Sequence, residues 1–144
     1  MRWQLIVMAL AASTSLAMSQ APAGKSDLDA LQGVWRLTSG EMMGEKMSTD
    51  MTKDVTLTIK GNVSNYKNKD QDNMANFKLD ESKTPKQIDI TDQKSGMAIM
   101  IGIDELKGDE FKVCLDGQGK MRPTEFKSSK DSDFGVLIFK REKK

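Results

Sequence analysis

Apolar and polar residues alternate along most of the chain, as in β-strands that bury one face. The alternation is clearest where Val55, Leu57 and Ile59 oppose Thr56 and Thr58. Turn residues interrupt the pattern about every 8–12 residues, which is typical of an all-β sandwich or barrel. The pattern predicts strands over residues 34–39, 42–47, 55–60, 62–68, 75–79, 87–91, 97–106, 110–116, 123–127 and 134–141.

Two of these runs are apolar on both faces and are therefore expected to be central and close to each other. They cover residues 97–103 and 136–139. In the first run, Ile99 and Ile101 lie on the face opposite Met100. Gly61 and Gly108 sit between predicted strands, where a tight hairpin turn needs a positive φ.

Helical signals are confined to two short segments. Ser26 and Asp29 have the spacing of a helix N-cap, which predicts one or two turns before the first strand. Residues 48–54 are expected to form one further helical turn. Because no crossover helix separates the strands, a parallel sheet is not expected. The predicted fold is all-β: an antiparallel up-and-down barrel of about 8–10 strands after a short N-terminal helical turn, with a two-sheet sandwich as the alternative.

The first residues have the pattern of a secretory signal. Met1 and Arg2 precede a nearly uncharged run over residues 5–18, and small residues follow. The run is shorter than the roughly 20 residues that a membrane span needs. We expect a signal peptide over residues 1–19, a disordered leader over 20–26 and one domain over 27–144. No cysteine lies near the cleavage site to carry a lipid, so a secreted or periplasmic product without a membrane span is expected.

Three segments resemble an uncharacterised secreted domain family of planctomycete bacteria. They are Leu-Gln-Gly-Val-Trp at residues 31–35, Cys114 with Arg-Pro-Thr-Glu-Phe at residues 122–126, and the closing Lys140-Arg141. The resemblance covers nearly all of the domain. It implies a lipocalin-like barrel and export, and it brings no activity. The methionine-rich residues 42–51 depart from the pattern of that family.

Trp35 and Arg141 add a second likeness. Lipocalins open with Gly-x-Trp on the first strand, and an arginine from near the chain end packs over that tryptophan. Gly33 and Trp35 follow the predicted helical turn, and Arg141 ends the last strand. The resemblance therefore implies a cation–π contact that closes the barrel.

Charge and composition remove several function classes. The chain has 22 basic and 21 acidic residues. Loss of Arg2 with the signal leaves the domain formally neutral, so a nucleic-acid partner is not expected. The chain contains no histidine, which excludes Ser-His-Asp and Cys-His catalysis and histidine-ligated metals. Neither an enzyme nor a cofactor is expected.

Two kinds of sulfur-containing side chain remain as candidates for chemistry, a cysteine and a group of methionines. Cys114 is the single cysteine, and we favour structural packing over a reactive thiol activated by Lys112. Met42, Met43, Met47 and Met51 carry thioethers, which suit Cu(I). We favour core or cavity lining for them. Residues 70–74 begin like a calcium loop but lack the required glycine, so a hairpin tip is expected there.

The predicted function is to hold an apolar or amphipathic small molecule inside the barrel. Barrels of about eight strands either hold one small ligand or fill with their own side chains. The alternative is a filled barrel that acts as an envelope or extracellular interaction domain, and an enzyme ranks third. The candidate ligand-binding residues are Trp35, Leu37, Met100, Arg122, Glu125, Phe139 and Arg141, with Ile99 and Ile101 as further wall residues.

Overall fold

The computed structural model describes residues 26–143, which contain two short helices and nine strands. The helices are α1 (Asp27–Leu31) and α2 (Thr49–Thr52). The strands are β1 (Gly33–Met42), β2 (Glu45–Lys46), β3 (Thr56–Lys60), β4 (Val63–Lys67), β5 (Asp72–Asp80), β6 (Lys86–Thr91), β7 (Ala98–Lys107), β8 (Glu110–Asp116) and β9 (Phe134–Arg141).

Eight of the strands form a closed antiparallel barrel. From β3 to β9 each strand pairs with the next, and β1 pairs with both β3 and β9. The short β2 extends β1 as a small hairpin outside this ring. Closure leaves no free edge in the ring, because every strand has two neighbours. The predicted up-and-down barrel is thus confirmed, and the two-sheet sandwich is wrong.

The strand directions give the barrel two different ends. The closed end carries α1 and the tight turns β3–β4, β5–β6 and β7–β8. The open end carries the β1–β2 turn, the β4–β5 turn, residues 92–97 and the outer connection, which we define as residues 117–133 between β8 and β9. Gly61 and Gly108 have positive φ in the turns at the closed end, as the sequence predicts.

The core has an inner and an outer part. The inner cluster includes Trp35, Phe77 and Phe139 and fills the lower half of the barrel. The outer cluster joins Ile103, Cys114 and Val136, and it is covered by Phe126 and Phe134. This second cluster explains why β7 and β9 are apolar on both faces. The two strands are near each other, as expected, but β8 lies between them.

The outer connection is organised from its first residues. The buried carboxylate of Asp116 accepts hydrogen bonds from the backbone N–H groups of Gln118, Lys120 and Met121. These bonds lower the pKa of Asp116, with the Met121 bond contributing most. Pro123 is then fully buried against the barrel wall. The first part of the outer connection is therefore held against the barrel.

Two predicted strands are wrong. Residues 42–47 do not form one strand, since the chain turns at Met43 (φ 53°) and Gly44 (φ 77°) and only Glu45–Lys46 pairs back onto β1. Residues 123–127 belong to the outer connection and have no strand partner. Residues 123–127 mix apolar and polar side chains because Pro123 is buried and Phe126 half-buried, while Thr124, Glu125 and Lys127 are exposed. The helical turn expected within residues 48–54 is present as α2.

The proposed signal peptide and residues 20–25 of the proposed leader lie outside the described residues. Ser26 is the N-cap of α1, and its hydroxyl accepts a hydrogen bond from the Asp29 N–H at 3.2 Å. None of the helices in the described part of the chain has the length and apolar character to cross a membrane.

Candidate functional site

The barrel is hollow above its inner core and contains a cavity of about 460 Å³. Large apolar side chains form its floor and most of its wall. They include Leu31 from α1, Leu57, Phe77, Phe111 and Phe139. Small residues make the space, because Ala75 on β5 and Ser64 on β4 face each other where larger side chains would meet.

One side of the cavity wall is polar. Ser64, Tyr66, Gln71 and Asn73 line it there, and all four belong to β4, β5 or the turn between them. We call these four residues the polar strip. Tyr66 and Asn73 are direct cross-strand partners. Partial burial raises the pKa of the Tyr66 hydroxyl. No aspartate, glutamate, lysine or arginine of residues 26–143 lines the cavity.

Exposed apolar side chains lie at the open end of the barrel, on β1, β5, β7, the loops next to β1 and β7, and the outer connection. They are Met42, Met43, Met74, Met97, Ile99 and Met121, each between 43% and 71% exposed. We call these six residues the apolar rim. Met42, Met74 and Ile99 belong to both the rim and the cavity wall. Ile99 reaches the cavity because the register slips between Ile90 and Thr91, so that Ile99 is the extra residue of a β-bulge.

The closed end is sealed by α1 and a tryptophan. Trp35 is fully buried, and its Nε1–H donates to the carbonyl oxygen of Leu31 at 2.8 Å. The guanidinium of Arg141 lies 4.3 Å from the Trp35 ring centroid, which confirms the expected cation–π contact. Arg141 also donates to the carbonyl oxygens of Gln32 (2.8 Å) and Ala30. One arginine thus ties the last strand to the end of α1.

A buried carboxyl group lies under the start of α1. Asp104 is 3% exposed, and its Oδ1 has no hydrogen-bond partner in the described part of the chain. Burial is the main cause that raises its pKa to about 7, and the negative charge of Asp27 adds to this effect. Lys86 opposes it, but the Lys86 ammonium is bound to the Asp27 carboxylate at 2.7 Å.

The structure brings two of the seven candidate residues to the cavity wall, namely Met100 and Phe139. Leu37 is buried in the inner cluster opposite Phe139, and Trp35 and Arg141 belong to the closed end. Of the two further wall residues, Ile99 lines the cavity and Ile101 does not.

Arg122 and Glu125 do not meet at the mouth of the cavity. Arg122 donates to Asp89 Oδ1 at 2.6 Å and to the Gly102 carbonyl oxygen at 2.8 Å, which fastens the outer connection to β6 and β7. Glu125 is exposed on the outer connection. The two candidate residues therefore form no ion pair with each other within residues 26–143, and Arg122 is paired with Asp89.

Cys114 is fully buried in the outer cluster, where its thiol donates to the Lys127 carbonyl oxygen at 3.6 Å. Burial raises the pKa of the thiol. Lys112 does not activate it, because the Lys112 ammonium lies over the Phe126 ring at 4.7 Å. Structural packing is thus the role that the geometry gives to this cysteine.

The four methionines considered for Cu(I) have different surroundings. Met42 and Met43 are on the apolar rim, Met47 packs over Gly40 and Leu137, and Met51 is exposed on α2. Met43 and Met47 do not share a strand face, because the chain turns at Met43. Residues 26–143 also hold no cluster of three or more acidic or cysteine side chains that suits a metal ion.

Sequence reasoning missed Tyr66, Phe77 and Phe111 as wall residues. Each lies inside a predicted strand, and Phe77 is two residues from Ala75 on the same face. The alternation phase would have placed Phe77 and Phe111 inside the barrel, whereas in β4 Val63 and Tyr66 have opposite phases and the pattern does not choose between them. It could not show which inward positions border empty space.

The closed ring of eight antiparallel strands, the helix at one end and the Trp35–Arg141 contact together define a lipocalin-like barrel. Comparison of the chain with family models, curated proteins and solved structures found no match in any of the three. The resemblance to a planctomycete family stays a prediction.

Proposed function

We propose that this protein is an exported binding module that holds one small apolar or amphipathic molecule inside its barrel. The observation that carries the proposal is the apolar cavity of about 460 Å³. Its volume lies within the range of about 300–1,000 Å³ that is typical of small-molecule sites. The proposal assigns binding without catalysis. Export rests on the signal pattern of residues 1–19.

Burial of apolar surface supplies the driving force in this proposal. A ligand in the cavity contacts Phe77, Phe111 and Phe139, which are themselves well packed against the inner core. Each Å² of apolar surface removed from water contributes about 25 cal/mol before the costs of association. The ligand enters from the open end, because α1 and Trp35 fill the other end.

The apolar rim supports the same direction of entry. Met42, Met74 and Ile99 continue the cavity wall to the surface, so an apolar chain meets apolar contacts along its whole path. Methionine side chains are flexible and polarisable, and they adapt to ligands of different shape.

The test uses the chain from Gln20 and two matched variants. Organic extraction followed by mass spectrometry identifies any co-purified molecule, and titration with the neutral dye N-phenyl-1-naphthylamine measures access to the cavity. Ala75→Phe fills the cavity from inside, whereas Ala98→Phe makes the same change at an exposed position that does not line it. We expect Ala75→Phe to weaken dye binding at least tenfold and Ala98→Phe to leave it unchanged.

Binding of the dye that neither variant changes would place it outside the cavity and contradict the proposal. Wild-type protein that takes up no dye and releases no extractable molecule would also contradict it. That second result would favour the interaction domain without a ligand.

A further inference from the structure

The cavity wall combines a polar strip with a complete lack of charged side chains among the described residues. We propose that the ligand carries an uncharged hydrogen-bonding head group, such as an alcohol or a primary amide, that lies against Tyr66 and Asn73. The ligand class therefore excludes carboxylates such as fatty-acid anions. This inference rests on the proposed binding function.

The polar strip has the form of a hydrogen-bonding site for one head group. Tyr66 and Asn73 are opposite each other on neighbouring strands, so their side chains reach the same part of the cavity. Burial is the only cause that shifts the pKa of Tyr66. Among residues 26–143, the Tyr66 hydroxyl has no hydrogen-bond partner. The Asn73 amide makes only a long contact of 3.4 Å with Gln71. A tyrosine hydroxyl and an asparagine amide both donate and accept hydrogen bonds.

The floor of the cavity cannot serve a polar head group. Leu31, Leu57, Phe77, Phe111 and Phe139 provide no side-chain donor or acceptor. A polar group placed there would lose its hydrogen bonds to water without replacement. An amphipathic ligand is therefore oriented with its tail on the floor and its head at the polar strip.

A carboxylate lacks a counter-ion in this cavity. Arg122 is bound to Asp89 on the outside of the barrel, and Arg141 is bound at the closed end. Lys67 and Asp72 flank the polar strip in sequence but are exposed, and the alternation of the strands directs them to the outer face. Gln71 and Asn73 are exposed, whereas Ser64 and Tyr66 are half-buried, so a carboxylate at the polar strip loses part of its hydration. Without a partner charge nothing offsets that loss. An uncharged head group avoids this penalty.

A tyrosine with its ordinary pKa of 10.0 is already protonated at neutral and mildly alkaline pH, and burial raises the pKa of Tyr66 further. It remains a hydrogen-bond donor in that range. An acceptor on the ligand, such as an alcohol oxygen or an amide carbonyl oxygen, matches it.

The experiment compares head groups on one tail. Dodecan-1-ol, dodecanamide, dodecanoic acid and n-dodecane each compete with N-phenyl-1-naphthylamine at pH 8, where the acid is ionised. Two variants are used: Tyr66→Phe removes the hydroxyl, and Thr58→Val removes a hydroxyl from the exposed outer face of β3 as the control. A third variant, Asn73→Lys, adds a cation to the polar strip.

We expect dodecan-1-ol to compete at least tenfold better than dodecanoate with wild-type protein. Tyr66→Phe should weaken the binding of dodecan-1-ol about three- to tenfold and leave the binding of n-dodecane unchanged. Thr58→Val should change the binding of neither compound. Asn73→Lys should improve dodecanoate at least fivefold, because it supplies the missing counter-ion.

Two results would overturn the inference and leave the binding function standing. Dodecanoate that competes as well as dodecan-1-ol would show that charge is tolerated. If Tyr66→Phe weakened the binding of dodecan-1-ol and of n-dodecane equally, the hydroxyl would contribute to packing and would make no hydrogen bond to the ligand. If no compound displaces the dye and the cavity-filling variant is also without effect, the proposed function itself fails.

Discussion

The two ends of the barrel differ in packing: the closed end is buried and hydrogen-bonded, and the open end exposes apolar side chains. At the closed end, Trp35 is fully buried and hydrogen bonds join α1 to three parts of the sheet. At the open end, six apolar side chains are exposed around a cavity. The difference indicates that stability resides at the closed end, and under the proposed function the open end is the one that exchanges the ligand.

Hydrogen bonds from both ends of α1 attach this helix to the neighbouring turns of the closed end. A helix of five residues is too short to be stable by itself. Gln32 compensates by accepting from the Gly61 N–H at 2.7 Å and donating to the Gly61 carbonyl oxygen at 3.0 Å. The backbone N–H of Asp27 donates to Glu81 Oε1 at 2.9 Å. No comparable set of bonds crosses the mouth of the cavity in the described part of the chain.

Trp35→Ala should have the largest effect on the contrast between the two ends. It removes the largest fully buried side chain and leaves a cavity below α1, so we expect a loss of about 3–5 kcal/mol in the free energy of unfolding. Urea unfolding measures it. Trp35→Phe is the control, since it keeps a ring and loses the bond to Leu31. It should cost about 1–2 kcal/mol, and a cost equal to that of alanine would contradict the packing argument.

Arg141→Met should have the next largest effect. The methionine keeps the length of the side chain but loses the contact with Trp35 and the bonds to α1, which together contribute about 2–3 kcal/mol. Arg141→Lys keeps the charge and should recover only part of the loss, because lysine lacks the fork that reaches two carbonyl oxygens. Urea unfolding of both variants decides this. If Arg141→Lys had the same free energy of unfolding as the wild type, the contact would depend on the positive charge alone.

Asp104→Asn should stabilise the protein at pH 8. The pKa of Asp104 is raised to about 7 in the folded state, so the folded state binds the proton more tightly than the unfolded chain. The contribution of the Asp104 carboxyl group to the free energy of unfolding therefore falls as the pH rises from about 4 to about 7, and it stays low above that range. We expect a gain of about 1–3 kcal/mol at pH 8 and none near pH 3.

The control for Asp104→Asn is Asp70→Asn in the exposed β4–β5 turn, which should leave stability at pH 8 unchanged. Unfolding free energies at several pH values are the measurement. If Asp104→Asn destabilises the protein at pH 8, the ionised carboxylate would be making a favourable contact that the geometry does not contain.

The double variant Met97→Gln and Met121→Gln should have the smallest effect. Both side chains are exposed on the apolar rim and neither lines the cavity. We expect a change below about 0.5 kcal/mol in stability and unchanged affinity for the neutral dye. A large loss of stability would show that the open end is packed, and the contrast between the two ends would then fail.

The sequence predicts the barrel well because alternation reports the inner face of each strand directly. It also predicts the contact between Trp35 and Arg141, through a resemblance that both residues carry. It fails at residues 123–127, where Pro123 and Phe126 are buried or half-buried outside the barrel and the other three residues are exposed. Local pattern does not distinguish a strand from a segment that covers one.

The candidate site was harder to predict for a different reason. A cavity depends on the volumes of residues that are distant in sequence, such as Ala75, Ser64 and Phe111. Arg122 illustrates the same limit, because it lies on the outer connection and its partner Asp89 lies on β6, 33 residues earlier in the chain. Charge and size are visible in the sequence, and proximity is not.

The burial of Cys114 gives the protein a built-in reporter of motion. Thiol reagents can reach this sulfur only when the outer connection lifts from the barrel wall, since Phe126 and Phe134 cover it. The rate of alkylation in dilute denaturant therefore measures the free energy of that local opening. Comparison with the global unfolding curve reveals whether this layer detaches before the barrel itself comes apart.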